Sequence, residues 1–387
     1  MITSKRLAVI GRGTAGSLAV GHFCRWLNDD VEIEWYFDPN IKPQSVGEGS
    51  GITLGTNLYY DFEFTFTDLP LLDGNYKAGI KYQNWSHLPP YFHDFVPSNV
   101  AIHFNASKLQ DYIFEKVKDK VIPITENVTH EDIDADWIFD CSGTPTDFED
   151  IYQSNYIPVN SVYVNQCYWD HPEFDYTLTI ARPHGWVFGI PLANRCSIGY
   201  LYNKDISTYD EVLKDVETVY DEYGLTPSED TNSFSFKNYY RENTCGQRVT
   251  YSGNASFFLE PMEATSIPTM NLIQRGAFDI WVEGRSVSDA NNEMLEWNTG
   301  IENIIMMHYF AGSRFKSSFW DYAQSRGKKC MQKALTESKF LYFVQGSKEF
   351  RPGDPLGNKY YSAGWQFPAF KQNIEGLGIK LDDSMGG

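Results

Sequence analysis

Apolar positions in the first forty residues change their period twice. Leu7-Ala8-Val9-Ile10 is an unbroken apolar run, as in a strand buried on both faces, and Leu18, Ala19 and Phe23 then recur at helical spacing. Between them lies Gly11-Arg12-Gly13-Thr14-Ala15-Gly16, so the pattern predicts strand, glycine turn and helix in that order. A second strand is expected over Val31 to Phe37, closed by Asp38. Residues 75–85 alternate, with Tyr76, Ala78, Ile80 and Tyr82 facing one way and Lys77, Gly79, Lys81 and Gln83 the other. That reads as one strand carrying two lysines on a solvated face. His103 to Ser107 reads as a polar turn, with Ser107 the N-cap of a helix through Tyr112 and Phe114. Asp136 to Gly143 is another buried-type strand ending in glycine, and residues 157–202 are β-rich, with a hairpin over 185–200. An amphipathic helix is expected over 205–223, and mainly helix beyond Pro268. Pro352 to Gly364 is the loosest stretch, and the tail from Asp382 is expected to fray.

The first segment carries chemistry. In a nucleotide-binding βαβ unit, Gly11 allows the tight turn, Gly13 lets backbone approach a pyrophosphate, and Gly16 lets helix and strand pack closely. The helix start aims free N–H groups and its positive dipole end at that pyrophosphate. Asp38 stands where an acid holds a ribose hydroxyl, although it comes later than the usual spacing of about 20 residues. Before Pro39 it also reads as an ordinary turn aspartate. Val46-Gly47-Glu48-Gly49-Ser50-Gly51 is a linker by composition, and beside a nucleotide fold it is a loop able to line a cofactor.

A chain of 387 residues with 42% hydrophobic content fits a globular protein of two interleaved modules. No run of about 18 apolar residues occurs, and the N-terminus leads straight into the first strand, so neither a spanning helix nor a signal peptide is expected and the location reads as cytoplasmic. Six scattered cysteines without C-x-x-C spacing read as reduced thiols, with no metal site. A net charge of −19 argues against nucleic acid and anionic membranes as partners. Part of the 25 Tyr, 26 Phe and 10 Trp must be core, and such a content would also suit a pocket for flat organic ligands.

Several separated segments coincide with one family: IGRGTAGS (10–17), VGEGS (46–50), KAGIKYQNW (77–85), IHFNAS (102–107), DCSG (140–143), GWVFGIPLANRCSIGYLY (185–202), FLEPMEATSI (258–267) and HYFAGSRFKSSFW (308–320). With these the chain resembles the flavin-dependent halogenases of the tryptophan-halogenase type. The resemblance implies an α/β fold, a Rossmann-like FAD-binding fold of the flavin monooxygenase type. Residues 1–320 would hold the FAD-binding module, interleaved with a β-sheet substrate module at about 60–100 and 157–245. Residues 321–387 would form a mainly helical C-terminal region packing on the substrate side.

The resemblance makes Lys77, rather than Lys81, the catalytic lysine and Glu263, rather than Glu260, the essential glutamate. It puts halide on the backbone amides of Thr265 and Ser266. FAD falls on Gly11, Gly13, Thr14, Ala15 and Gly16, with Asp38 at the ribose and Val46, Gly47 and Glu48 near the isoalloxazine. His103, Phe104, Trp186 and Phe188 fall along the substrate pocket and tunnel. The chain departs from the family at Phe188, where W-x-W-x-I-P has its second tryptophan, and at Asn105, where aspartate is common. It is also shorter, with the missing material between about 145 and 245.

The implied activity is a halogenase using FADH2 and O2, supplied with FADH2 by a separate NAD(P)H-dependent flavin reductase. It would oxidise chloride, bromide or iodide to hypohalous acid and halogenate a small electron-rich aromatic substrate at Lys77. The lysine would act as hydrogen-bond donor or as haloamine, and the amine form requires desolvation or a nearby cation. Glu263 would polarise the oxidant or take the ring proton. The shortened cover implies phenols, indoles and anilines rather than free tryptophan. A flavin-dependent aromatic monooxygenase and a catalytically inactive flavin-binding protein are the alternatives, and self-association into a homo-oligomer is left open.

Overall fold

The run Leu7-Ala8-Val9-Ile10 lies in the central strand of a five-stranded parallel sheet, ordered Val249–Tyr251, Trp137–Asp140, Lys5–Ile10, Val31–Tyr36, Ile122–Ile124. This is a computed structural model, and it describes residues 5–41, 48–95, 100–149, 151–351 and 360–380. Val46, Gly47, residues 352–359 of the loose stretch and the tail from Asp382 lie outside the described residues. The chain divides into two compact units, residues 1–74, 104–153 and 239–296 in the first and 75–103, 154–238 and 297–387 in the second.

The parallel sheet organises the first unit. Two of its inner strands carry consecutive buried apolar residues, Leu7 to Ile10 and Trp137 to Phe139, as expected of a parallel sheet covered on both faces. Leu7, Ala8 and Val9 are fully buried, and the helix Thr14–Trp26 sets Phe23 edge-on to Phe139 at 5.2 Å, with Trp281 at 5.7 Å. The helix Ala106–Val117 begins two residues earlier than the expected Ser107 cap would allow. Asn105 caps it, its side-chain oxygen accepting the Lys108 N–H at 3.2 Å. Asparagine and serine are both good caps, and the one whose oxygen reaches the third helical N–H prevails.

In the second unit a seven-stranded mixed sheet runs Pro227–Ser235, Ser161–Tyr168, Arg195–Tyr202, Gly185–Pro191, Thr177–Arg182, Gly79–Gln83, Tyr91–Asp94. Gly185–Pro191 and Arg195–Tyr202 form the antiparallel hairpin expected from the sequence. The amphipathic helix starts at Tyr209, later than expected, where Thr208 and Glu211 close a capping box. Its Val212, Val216 and Val219 bury against Tyr163, Ile180, Val187 and Tyr200. Arg182 grips Asp215 on this helix through two N–H donors, at 2.9 and 2.6 Å, and the Tyr200 hydroxyl donates to the same carboxylate.

Residues 75–85 do not form one strand. Asn75–Lys77 pairs antiparallel with Ala101–His103 in a separate two-stranded sheet, and Gly79–Gln83 joins the large one. The break at Ala78 shifts the alternation: Tyr76 is 47% exposed and Lys77 wholly buried. The expected solvated face for Lys77 is therefore corrected. Lys81 is half-buried, its ammonium 5.6 Å from the Tyr176 ring centre.

Candidate active site

Each glycine of the first turn meets a different constraint. Gly11 has φ +95°, and a Cβ there would lie 2.4 Å from the Cys141 carbonyl oxygen. At Gly16 a Cβ would lie 2.0 Å from the Gly11 oxygen. Among the described residues nothing stands within 4 Å of a Cβ on Gly13, and the helix it begins has neither a side-chain cap nor an acid in its first turn. A helix start leaves N–H groups without intrahelical partners, and with no side chain capping this one they fit the pyrophosphate of FAD. The Thr14 hydroxyl accepts from Gln110 at 3.3 Å, and Ala15 is buried. Asp38 follows the second strand half-buried, its Oδ1 accepting both the backbone and side-chain N–H of Asn40. Glu48 is buried, with its carboxylate on the Ala106 N–H and its backbone oxygen on Phe104 N–H. A carboxylate at a helix start is favourable in itself, so Glu48 also anchors its loop.

The Glu263 turn also belongs to the first unit. Glu263 and Ala264 have φ +65° and +51°, two successive left-handed residues without glycine. Each costs of order 1–3 kcal/mol and persists only where the surroundings impose it. The strain holds a nearly buried carboxylate just before the helix Ser266–Trp281. That helix has no side-chain cap and no acid in its first turn, and Thr265 leaves a buried hydroxyl oxygen with no hydrogen-bond partner among the described residues. Backbone N–H groups at Thr265 and Ser266 beside an unpartnered hydroxyl fit a halide ion.

In the second unit Lys77 and His103 share one face of the small sheet. The register sets Lys77 opposite Ala101 and Asn75 opposite His103, so the two side chains are diagonal neighbours. Both are wholly buried. His103 Nε2 lies 2.9 Å from the Thr177 hydroxyl. Burial first, and then the Lys77 charge, hold its pKa well below the ordinary 6.5, with a backbone hydrogen bond at Tyr76 opposing them in part, so the imidazole is neutral. Phe104, in the first unit, is also fully buried.

Sequence reasoning missed Phe95 beside the lysine, and the rings of His93 and Trp365 that follow from it. Phe95 places its ring centre 5.3 Å from the Lys77 ammonium, and its N–H donates to the Ala78 carbonyl at 3.2 Å. His93 lies edge-on to Phe95 at 5.5 Å and to Trp365 at 5.2 Å. The signal available was the short alternating run Tyr91 to Phe95, which pairs with Gly79–Gln83. Trp186 is buried with Trp85 at 6.2 Å, and half-buried Phe188 lies over Gly199. Lys77, Trp186 and Phe188 fall in the second unit, Glu263 and the glycine turn in the first.

Comparison with known proteins bears on this chemistry. The tryptophan halogenase family profile matches residues 6–123 and 113–350. The tryptophan 6-halogenase ThaL of Streptomyces albogriseolus is 24% identical over 425 residues, covering 82% of this chain and 78% of that one. The tryptophan 7-halogenase RebH of Lentzea aerocolonigenes is 21% identical over 418 residues, with 81% and 78% covered. The fold is that of a solved tryptophan 6-halogenase from Streptomyces toxytricini (TM-score 0.79, 16% identity, 99% and 93% covered). It is likewise that of BrvH, a flavin-dependent halogenase from Brevundimonas sp. BAL3 (TM-score 0.75, 16% identity, 99% and 92% covered). A Rossmann-like sheet, an uncapped glycine turn and a strained glutamate turn are thus joined by a family match over most of the chain, and the protein belongs to the tryptophan halogenase family of flavin-dependent halogenases.

Proposed function

We propose that the chain uses FADH2 and O2 to convert chloride, bromide or iodide into hypohalous acid and transfers the halogen to electron-rich phenols, indoles and anilines at Lys77. Bound FADH2 supplies the two electrons that reduce O2, yielding FAD, water and hypohalous acid from O2, halide and a proton. The turn at Gly11, Gly13 and Gly16 and the N–H groups at Thr14 and Ala15 hold the pyrophosphate, with Asp38 on the ribose. The Thr265 and Ser266 amides seat the halide, and the Thr265 hydroxyl donates to it. Lys77 then binds hypohalous acid. As the ring takes the halogen and loses a proton, the hydroxyl leaves as water. Glu263 polarises the oxidant or accepts that proton. Flavin-dependent halogenases draw FADH2 from a separate reductase, and the same supply is assigned here.

The observation that carries this reading is the complete burial of Lys77 beside an aromatic ring. Lysine is almost never fully buried at an ordinary structural position, and buried ionisable groups with perturbing neighbours cluster at functional sites. The test supplies photoreduced or reductase-generated FADH2 to phenol, aniline, indole and free tryptophan with each halide in turn. Halogen adducts of the first three, with little from free tryptophan, are expected. A hydroxyl adduct would identify a monooxygenase, and selective chlorination of free tryptophan would overturn the substrate range.

A further inference from the structure

The phosphate turn contains one cation, Arg12, in a chain of net charge −19. Its guanidinium carbon lies 4.2 Å from the Phe114 ring centre and 5.3 Å from that of Phe37. The two rings meet edge to face at 88°, forming two walls around a planar cation. Arg12 Nη2 donates to Asp111 Oδ1 at 3.0 Å, the hydrogen bond its side chain makes among the described residues. The Asp111 side chain is 73% exposed, and so open a pair contributes little by itself. A guanidinium has five donors, so most remain for a ligand. Phe37 directly precedes Asp38, whose Oδ1 is occupied by Asn40, leaving its second oxygen for a ribose hydroxyl.

We propose that Arg12 binds the 5′-phosphate of the adenosine half of FAD and makes the site select FAD over FMN. The inference rests on the reading of this turn as the flavin dinucleotide site. Stacking on Phe114 and Phe37 fixes the guanidinium before the cofactor arrives, so little side-chain freedom is lost on binding. Its remaining donors meet a phosphate oxygen in charge-assisted hydrogen bonds, while Asp38 accepts from the ribose. FMN, lacking the adenosine monophosphate half, gains nothing from either residue.

The test titrates oxidised FAD and FMN into wild-type protein and into Arg12→Met and Arg12→Lys, following flavin fluorescence, with AMP and adenosine as competitors. Arg12→Met is expected to weaken FAD about tenfold or more, to leave FMN unchanged and to abolish competition by AMP but not by adenosine. Arg12→Lys keeps the charge without the planar fork and is expected to fall between. Thermal unfolding without flavin checks that each variant is folded. FAD and FMN weakening by the same factor, or FAD affinity unchanged in Arg12→Met, would overturn the proposal while leaving the flavin reading intact. Wild-type protein binding neither flavin would overturn both.

Discussion

The Lys77 ammonium lies 5.3 Å from the centre of the Phe95 ring, in a position without solvent exposure. A ring at this distance attracts the cation and offers an apolar wall to a flat substrate. Phe95→Leu keeps apolar volume and removes the ring face. It is expected to raise KM for aromatic substrates about tenfold while release of hypohalous acid is unchanged. Steady-state kinetics with a phenol, alongside a soluble halogen trap, checks this. An unchanged KM would remove Phe95 from the substrate site.

On the proposed reading, the glycine turn at residues 11–16 holds one glycine for packing and one for the cofactor phosphate. Gly16→Ala places a Cβ 2.0 Å from the Gly11 carbonyl oxygen. It is expected to destabilise the flavin-free protein by about 2 kcal/mol or more. At Gly13 φ is −71° and no atom of the described residues lies within 4 Å of a Cβ. Gly13→Ala is therefore expected to change stability by less than about 0.5 kcal/mol yet to weaken FAD strongly, because its methyl group occupies the phosphate approach. Thermal unfolding and flavin titration on both variants measure the split. A stable Gly16→Ala, or a Gly13→Ala that binds FAD normally, contradicts it.

His103 ties stability to pH. Its pKa is lowered in the folded state by burial and by Lys77, so between that value and the ordinary 6.5 the unfolded chain holds a proton that the folded chain lacks. Its contribution is complete above pH 6.5 and falls away as the pH drops below it, by up to about 1.4 kcal/mol per pH unit. His103→Gln removes the titration and is expected to flatten the acid side of the stability profile. Unfolding midpoints between about pH 7.5 and 5.5 test it, and parallel profiles for the two proteins would contradict the neutral buried imidazole.

The parts legible in the sequence are local. The strand Lys5–Ile10, its glycine turn and its helix are contiguous, and apolar periodicity with glycine spacing encodes them directly. Lys77 was misread because alternation assumes an unbroken strand, and the transfer between two sheets at Ala78 changes which residues face inward. Phe95 reaches Lys77 through the antiparallel pairing of Tyr91–Asp94 with Gly79–Gln83, a relationship that side-chain pattern does not encode. The left-handed backbone at Glu263 and Ala264 was equally invisible, since neither residue type favours it and tertiary packing imposes it. Family resemblance singled out Lys77 and Glu263 as candidates where composition and period could not.

The most direct test of the account separates oxidant formation from ring halogenation in Lys77→Ala and Lys81→Ala. Each variant is supplied with FADH2, O2, bromide and a phenol, and organobromine and trapped hypobromous acid are measured together. The account predicts that Lys77→Ala loses ring bromination while hypobromous acid still forms, and that Lys81→Ala, altering a half-buried lysine over Tyr176, is mild in both. Equal losses of bromination in the two variants, or loss of hypobromous acid along with bromination in Lys77→Ala, would contradict it.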